Sequence, residues 1–183
     1  MILQRGFRMS PDPLDEIVPV VDAAGHVLSM TTKKNAHDVG LLHPTILAEV
    51  IDSRGNWILV RQSTGRQDAG QYVSPVGGHM RAGESEADAL KREAMEEMGI
   101  SDFTFKRIGT GVFNREVLGR LENHLFILYE ITSDQEPVLN HESDEFRRFT
   151  ETELKEAMKQ NPESFGDAWW FVVSSFYPQL LPG

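Results

Sequence analysis

Between Gly77 and Ile100 the chain reads as a glycine loop feeding a helix whose charge is concentrated on one side. Ala87, Leu90, Ala94 and Met98 recur at spacings of three, four and four, the period of a helix with one buried stripe, and Gly99 stands where a helix C-cap is expected. At about 100° per residue, Glu93, Glu96 and Glu97 fall within roughly 100° of one another beside that stripe. Carboxylates three and four residues apart repel by about 0.2–0.5 kcal/mol per pair, and a helix does not need them in order to fold. Packing the stripe aims all three at the rim of the core, where a hard, oxygen-seeking divalent cation would resolve the repulsion. Mg²⁺ is the usual ion where the other ligands are substrate phosphates. Arg92, four residues before Glu96, can pair with it and hold it in place. The plainer reading of a Glu-rich helix is a solvated acidic face. The glycines argue against it: Gly77, Gly78 and Gly83 allow special backbone conformations just before the helix, where a carbonyl such as that of Gly77 can point at a metal.

Composition narrows the partners. A chain of 183 residues favours one domain. Its 18 Lys and Arg against 28 Asp and Glu give a formal charge of -10. That argues against nucleic acid or an anionic membrane as the main partner, since both need a positive surface. The absence of cysteine excludes disulfides, thiolate metal sites and cysteine nucleophiles. No apolar run approaches the roughly 20 residues of a membrane span. Met1 to Ser10 holds two arginines but no apolar core, so it does not read as a signal peptide, and the expected address is the cytoplasm. Monomer and homodimer are both compatible with the sequence.

Met9-Ser10-Pro11-Asp12-Pro13 reads as a loop setting an N-terminal arm, 1–15, apart from a single domain, 16–183. Ile17 to Val21 is strand-like and ends in a turn at Asp22–Gly25. Thr45–Ile51 and Trp57–Gln62 read as a hairpin around Asp52-Ser53-Arg54-Gly55-Asn56, and Gln71–Val76 as a short strand. Phe103–Val117 reads as strand and loop, and His124–Thr132 as a strand. Thr150 to Glu153 is a capping box opening a helix to about Lys159. Asn161-Pro162 is placed to open a second helix carrying Trp169, Trp170, Phe171 and Phe176. The class is α/β with a mixed sheet. His26 and His141 read as turn residues, the Trp169–Phe171 run as core, and Phe165 as a candidate wall of a substrate pocket.

Gly78, Glu84, Arg92, Glu93, Ala94, Glu96, Glu97, Gly99 and Ile100 together match, without exception, the signature of the Nudix hydrolases. The resemblance implies an α/β/α sandwich and Mg²⁺- or Mn²⁺-dependent hydrolysis of a small-molecule diphosphate. It extends outside that box, from about Glu16 to Trp170. Asp22 to Gly25, Lys33, His37, His43, the hairpin, Arg61 and Gly78-His79 resemble the isopentenyl-diphosphate isomerase-like branch. In the true isomerases three histidines and two glutamates bind a metal, and a cysteine and one of those glutamates move protons. The histidines fall on His37, His43 and His79, with one residue fewer between the first two; the glutamate pair falls on Glu122 and His124, and the cysteine on Gly77. An isomerase diphosphate-binding arginine falls on Glu93, which restores a hydrolase ligand. Loss of the isomerase groups beside a complete hydrolase set implies a hydrolase on an isomerase-like frame, with isomerisation as the alternative.

A bound cation lowers the pKa of an attacking water, and a carboxylate within reach takes its proton. Glu96 and Glu97 are the expected metal ligands, with Glu93 as third ligand or base. Glu142 and Glu145, in the acidic loop His141-Glu142-Ser143-Asp144-Glu145, are rival bases. Lys33, Arg61 and Arg66 match positions that contact diphosphate in the isomerase-like branch. His37, His43, His79 and His124, with Glu122, are candidates for a second site suited to a softer ion, Zn²⁺ or Mn²⁺.

Overall fold

The computed structural model describes residues 16–182, so the arm proposed for 1–15 lies outside the described residues. β1 (Ile17–Val21) and β2 (Val27–Thr32) form a two-stranded antiparallel sheet, and α1 (Lys33–Val39) follows, capped by the Thr32 hydroxyl. The main sheet contains β3 (His43–Ile51), β4 (Trp57–Gln62), β5 (Tyr72–Val73), β6 (Val76–His79), β7 (Thr104–Val117), β8 (Arg120–Thr132) and β9 (Ser143–Phe149). α2 (Glu86–Met98) lies between β6 and β7, and α3 (Glu151–Gln160) and α4 (Asp167–Phe176) close the chain.

β3 is buried along almost its whole length, as expected of a strand covered on both faces. It runs parallel to β8 through nine residue pairs, from His43↔His124 to Ile51↔Thr132; the other pairings are antiparallel, so the sheet is mixed. Even-numbered residues of β3 (Ile46, Ala48, Val50) pack with Leu90, Ala94 and Met98 of α2. Leu47 packs on the opposite face with Leu154 of α3 and Trp169 and Val172 of α4. Two cores flank one sheet, giving an α/β/α sandwich.

β3 and β4 do not form a full hairpin. They share only Val50↔Ile58 and Ile51↔Trp57, then diverge, and β6 takes up β3's free edge while β5 takes up β4's. A seam therefore opens in the sheet beside the glycine loop.

Several local expectations change. β7 and β8 form one long hairpin rather than a strand, a loop and a shorter strand, turning through Leu118 and Gly119, both at positive φ (50° and 70°), the backbone of a two-residue type I′ turn. The stretch from Ser143 to Glu145, read as part of a loop, begins β9, which pairs with β4. The last helix starts at Asp167; Asn161-Pro162 opens only a single 3-10 turn. Trp169 is core, and Phe165 is too: it packs among buried aromatics against Tyr72 instead of walling a pocket.

Candidate active site

α2 is fixed at both ends by its sequence. Ser85 accepts the Asp88 amide at 3.2 Å, and Gly99 takes the left-handed conformation (φ 62°) that ends the helix. Its buried side is Ala89, Leu90, Glu93, Ala94 and Met98, with Ala87 only half-buried. Glu93 thus lies within the buried face instead of beside it.

Arg92 joins the helix to the preceding loop. Its guanidinium donates to both oxygens of Glu84 (2.7 and 2.9 Å) and to the His79 carbonyl (3.1 Å), and also contacts Glu93. The expected partner Glu96 is more distant, at 3.5 Å, and half-exposed. Glu93 is 7% exposed, and burial raises its carboxyl above the usual range despite Arg92. Glu97 accepts the Gly77 amide at 2.7 Å; desolvation, then the neighbouring Glu93 charge, push its carboxyl well above the usual value. In an extended strand a residue's N–H and C=O point to the same edge, so the Gly77 carbonyl also faces the side where Glu97 sits.

The two glycines have separate tasks. A Cβ at Gly78 would stand 1.9 Å from Glu93 Oε1, and one at Gly77 would meet Leu47 Cδ2 at 2.8 Å on the other face. Gly78→Ala is therefore expected to displace the Glu93 carboxylate. The cost in stability should be about 1–3 kcal/mol, as for overpacked interiors, with divalent-cation binding weakened in the same variant. Thermal unfolding with and without Mg²⁺ measures both, and an unchanged Mg²⁺-induced shift would show that Glu93 does not need this cradle.

On the opposite face of β6, four imidazoles meet. His37 comes from α1, His43 from β3, His79 from β6 and His124 from β8; every pair of rings has its centroids 4.7–5.4 Å apart, and one nitrogen from each lies within 4.8 Å of the others. His43 Nδ1 is 2.7 Å from the Leu41 carbonyl, which can only accept, so that nitrogen carries the proton and Nε2 keeps its lone pair. The Nε2 atoms of His43, His79 and His124 are buried without a hydrogen-bond partner among the described residues. Burial depresses all four rings, His43 to about 4, and keeps them neutral. Orphaned neutral imidazole nitrogens fit a borderline transition metal, which neutral imidazole suits, better than Mg²⁺.

Glu122 stands apart from this cluster. Its Oε2 accepts Arg115 Nε at 2.7 Å, and Arg115 also grips both oxygens of Asp68, at 2.6 and 2.9 Å. Neither Arg115 nor Asp68 was legible as a site residue, because no local motif links them.

A cavity of about 150 Å³ lies in the seam, reached by Glu97, Gly77, Gly78, His79, His124 and Glu142. Arg66 pairs with Glu142, and Arg61 lies 3.3 Å from Glu145, which also accepts the Tyr72 hydroxyl at 2.8 Å. Lys33 opens α1; burial lowers its ammonium, against the charges of Glu16, Glu93 and Glu142. The NUDIX domain family matches residues 41–168, more than half of the chain. The chain is a Nudix protein.

Relatives place this Nudix protein in the isopentenyl-diphosphate isomerase-like branch. An isopentenyl-diphosphate Delta-isomerase 2 from Aromatoleum aromaticum is 29% identical over 163 residues, covering 87% of this chain and 85% of its own. An uncharacterised Nudix hydrolase of Yersinia pestis is also 29% identical, over 109 residues, covering 58% of this chain and 59% of its own. A crystal structure from Deinococcus radiodurans shares the fold with a TM-score of 0.69 at 18% identity, covering 88% of this chain and 99% of that one.

Proposed function

We propose that this Nudix protein hydrolyses the diphosphate linkage of a small organic diphosphate, nucleoside-linked or otherwise, in the seam between β3 and β4. The observation that carries the reading is the Glu93–Glu97 pair: Glu93 is buried under Gly78, and Glu97 accepts the Gly77 amide and lines the cavity. A divalent ion such as Mg²⁺ or Mn²⁺, held there by Glu93, Glu96, Glu97 and the Gly77 carbonyl, would neutralise the diphosphate and lower the pKa of a bound water. Arg92 orients Glu93. Lys33, Arg61 and Arg66 supply charge-assisted contacts to phosphate. Arg66 can exchange Glu142 for a phosphate oxygen, and this releases Glu142, which lines the cavity, to take the water's proton. Glu145 is a weaker rival because Tyr72 and Arg61 both engage it. Glu93 remains the alternative base.

A second reading, allylic isomerisation, is favoured by isopentenyl-diphosphate isomerases that align with most of the chain. Against it stands Gly77 at the cysteine position, which offers nothing to protonate a double bond, and His124, an imidazole that burial keeps neutral.

One assay separates the two. Nucleotide sugars, dinucleoside polyphosphates, nucleoside triphosphates, coenzyme A and prenyl diphosphates are each incubated with Mg²⁺ or Mn²⁺. Phosphate or phosphomonoester release from at least one is expected, with conversion of isopentenyl to dimethylallyl diphosphate, followed by NMR, slower than that release by about 10²-fold or more, since positioned acid–base groups contribute about 10²–10⁴-fold. Efficient interconversion would reverse the ranking.

A further inference from the structure

Glu49 has no part in the chemistry above, yet it is a carboxyl with no solvent exposure at all, on the β3 face that also carries Leu47 and, by alternation, Thr45 and His43. Its Oε1 lies 2.6 Å from Ser74 Oγ, and its Oε2 is buried without a partner. Ser74, between β5 and β6, lines the same cavity as Glu97 and His79. Among the described residues no cation pairs with Glu49. The group facing it from β8 is Glu130, its register partner, whose own charge is met by Lys106 of β7 at 2.7 Å. From the end of α4 comes Tyr177, whose hydroxyl donates to Glu130 at 3.4 Å. An ionised carboxylate with one hydrogen bond, an orphaned oxygen and a second acid opposite is an expensive arrangement. A neutral carboxylic acid with an O–H to donate is not.

We propose that Glu49 is a positioning residue held as a neutral acid, and that its proton makes the Ser74 hydroxyl a donor toward an anionic group in the cavity. If Glu49 were ionised, Ser74 would have to give its hydrogen to the carboxylate and turn lone pairs toward the cavity, repelling a phosphate oxygen. With the proton on Oε1, Glu49 donates to Ser74 Oγ, and the serine hydrogen is free to point into the cavity. A single proton, remote from the reacting atoms, thus reverses the polarity of one wall of the pocket. Desolvation, reinforced by Glu130, raises the Glu49 carboxyl to about 8, so the donor state prevails at neutral pH and fades above it. The sign for stability follows: the folded state holds this proton longer than the unfolded one, so Glu49 costs progressively more stability as pH rises from about 4.5 to 8.

This inference rests on the diphosphate reading only for the identity of the anion, and the test separates the two. Wild type, Glu49→Gln and Ser74→Ala are compared as whole protein with Mg²⁺ from pH 6 to 9, using methylene diphosphonate as a non-hydrolysable probe. The glutamine amide donates to Ser74 at every pH. Wild-type affinity is therefore expected to fall about tenfold more than that of Glu49→Gln between pH 7 and 9, one decade per unit above the titration. Ser74→Ala should bind weakly with no such excess. Infrared difference spectra, wild type minus Glu49→Gln, should show a protonated carboxyl at pH 7 that disappears near pH 8. Superimposable affinity profiles for wild type and Glu49→Gln, or no carboxylic acid signal at pH 7, would overturn the role given to Glu49. Absence of probe binding in all three proteins, with the infrared signal present, would instead reject the diphosphate reading and with it the donor role of Ser74.

Discussion

Glu97→Gln is expected to lower Mg²⁺-dependent hydrolysis by a factor of about 10²–10³, roughly 3–4 kcal/mol of transition-state stabilisation. The same substitution should make the metal-free protein more stable. Glu97's folded carboxyl is raised well above its ordinary value by burial and by Glu93, so ionising it costs stability that is absent below about pH 4.5 and accumulates as pH rises. An amide of the same shape removes that cost. Gain of thermal stability in chelator together with loss of turnover is a combination that a merely structural glutamate would not produce. Glu96→Gln should share the loss of turnover with little change in stability, because Glu96 is half-exposed. Wild-type turnover in Glu97→Gln would remove it from the ligand set.

His43→Ala should abolish tight uptake of Zn²⁺ or Mn²⁺ at the imidazole cluster, with at least a 100-fold loss of affinity, since second-shell changes alone cost 10–100-fold. Glu97→Gln should retain it. The two centres should also separate by pH. Burial makes the imidazoles harder to protonate than ordinary histidines, His43 titrating near 4, whereas it makes the Glu93 and Glu97 carboxyls easier to protonate than ordinary glutamates. On acidification, Mg²⁺-dependent turnover is therefore expected to fall before the softer metal is released. Calorimetry with elemental analysis decides: equal affinity in wild type and His43→Ala would leave the histidines as structural residues.

What could be read from the chain was what is encoded locally. α2 was legible because its period, its C-cap Gly99 and the residues of the Nudix signature all lie within 23 consecutive residues, Gly78 to Ile100. β2 and α1 were not. β2 is largely exposed and carries no alternating pattern, and α1 has seven residues, too few to stand out by periodicity or to be stable alone. Tertiary contacts hold that short helix, yet it delivers Lys33 and His37 to the site. The imidazole cluster was foreseen through family resemblance, since no spacing rule joins residues 37, 43, 79 and 124. Arg115, Asp68 and Glu122 show the limit most clearly. Their contact depends on the β7–β8 register, which sets Arg115 opposite Glu122, and on a loop 47 residues away in sequence. The pairing of Arg66 with Glu142 and of Arg61 with Glu145 depends likewise on β9 joining β4.

Gly77 and Gly78, consecutive and without side chains, leave β6 bare on both faces, with Glu93 against one and the Leu47 side chain against the other. The carboxylate centre and the histidine centre lie on opposite faces of this one strand, since His79 leaves β6 on the Leu47 side. Charge placed on one side is therefore felt on the other with little water between to screen it. If both centres take cations, they cannot behave as independent binding equilibria. Filling either would weaken the other, and linkage requires the factor to be the same in both directions. A diphosphate bridging the seam would reverse that antagonism by adding negative charge between the two ions, so that substrate and metals would load cooperatively.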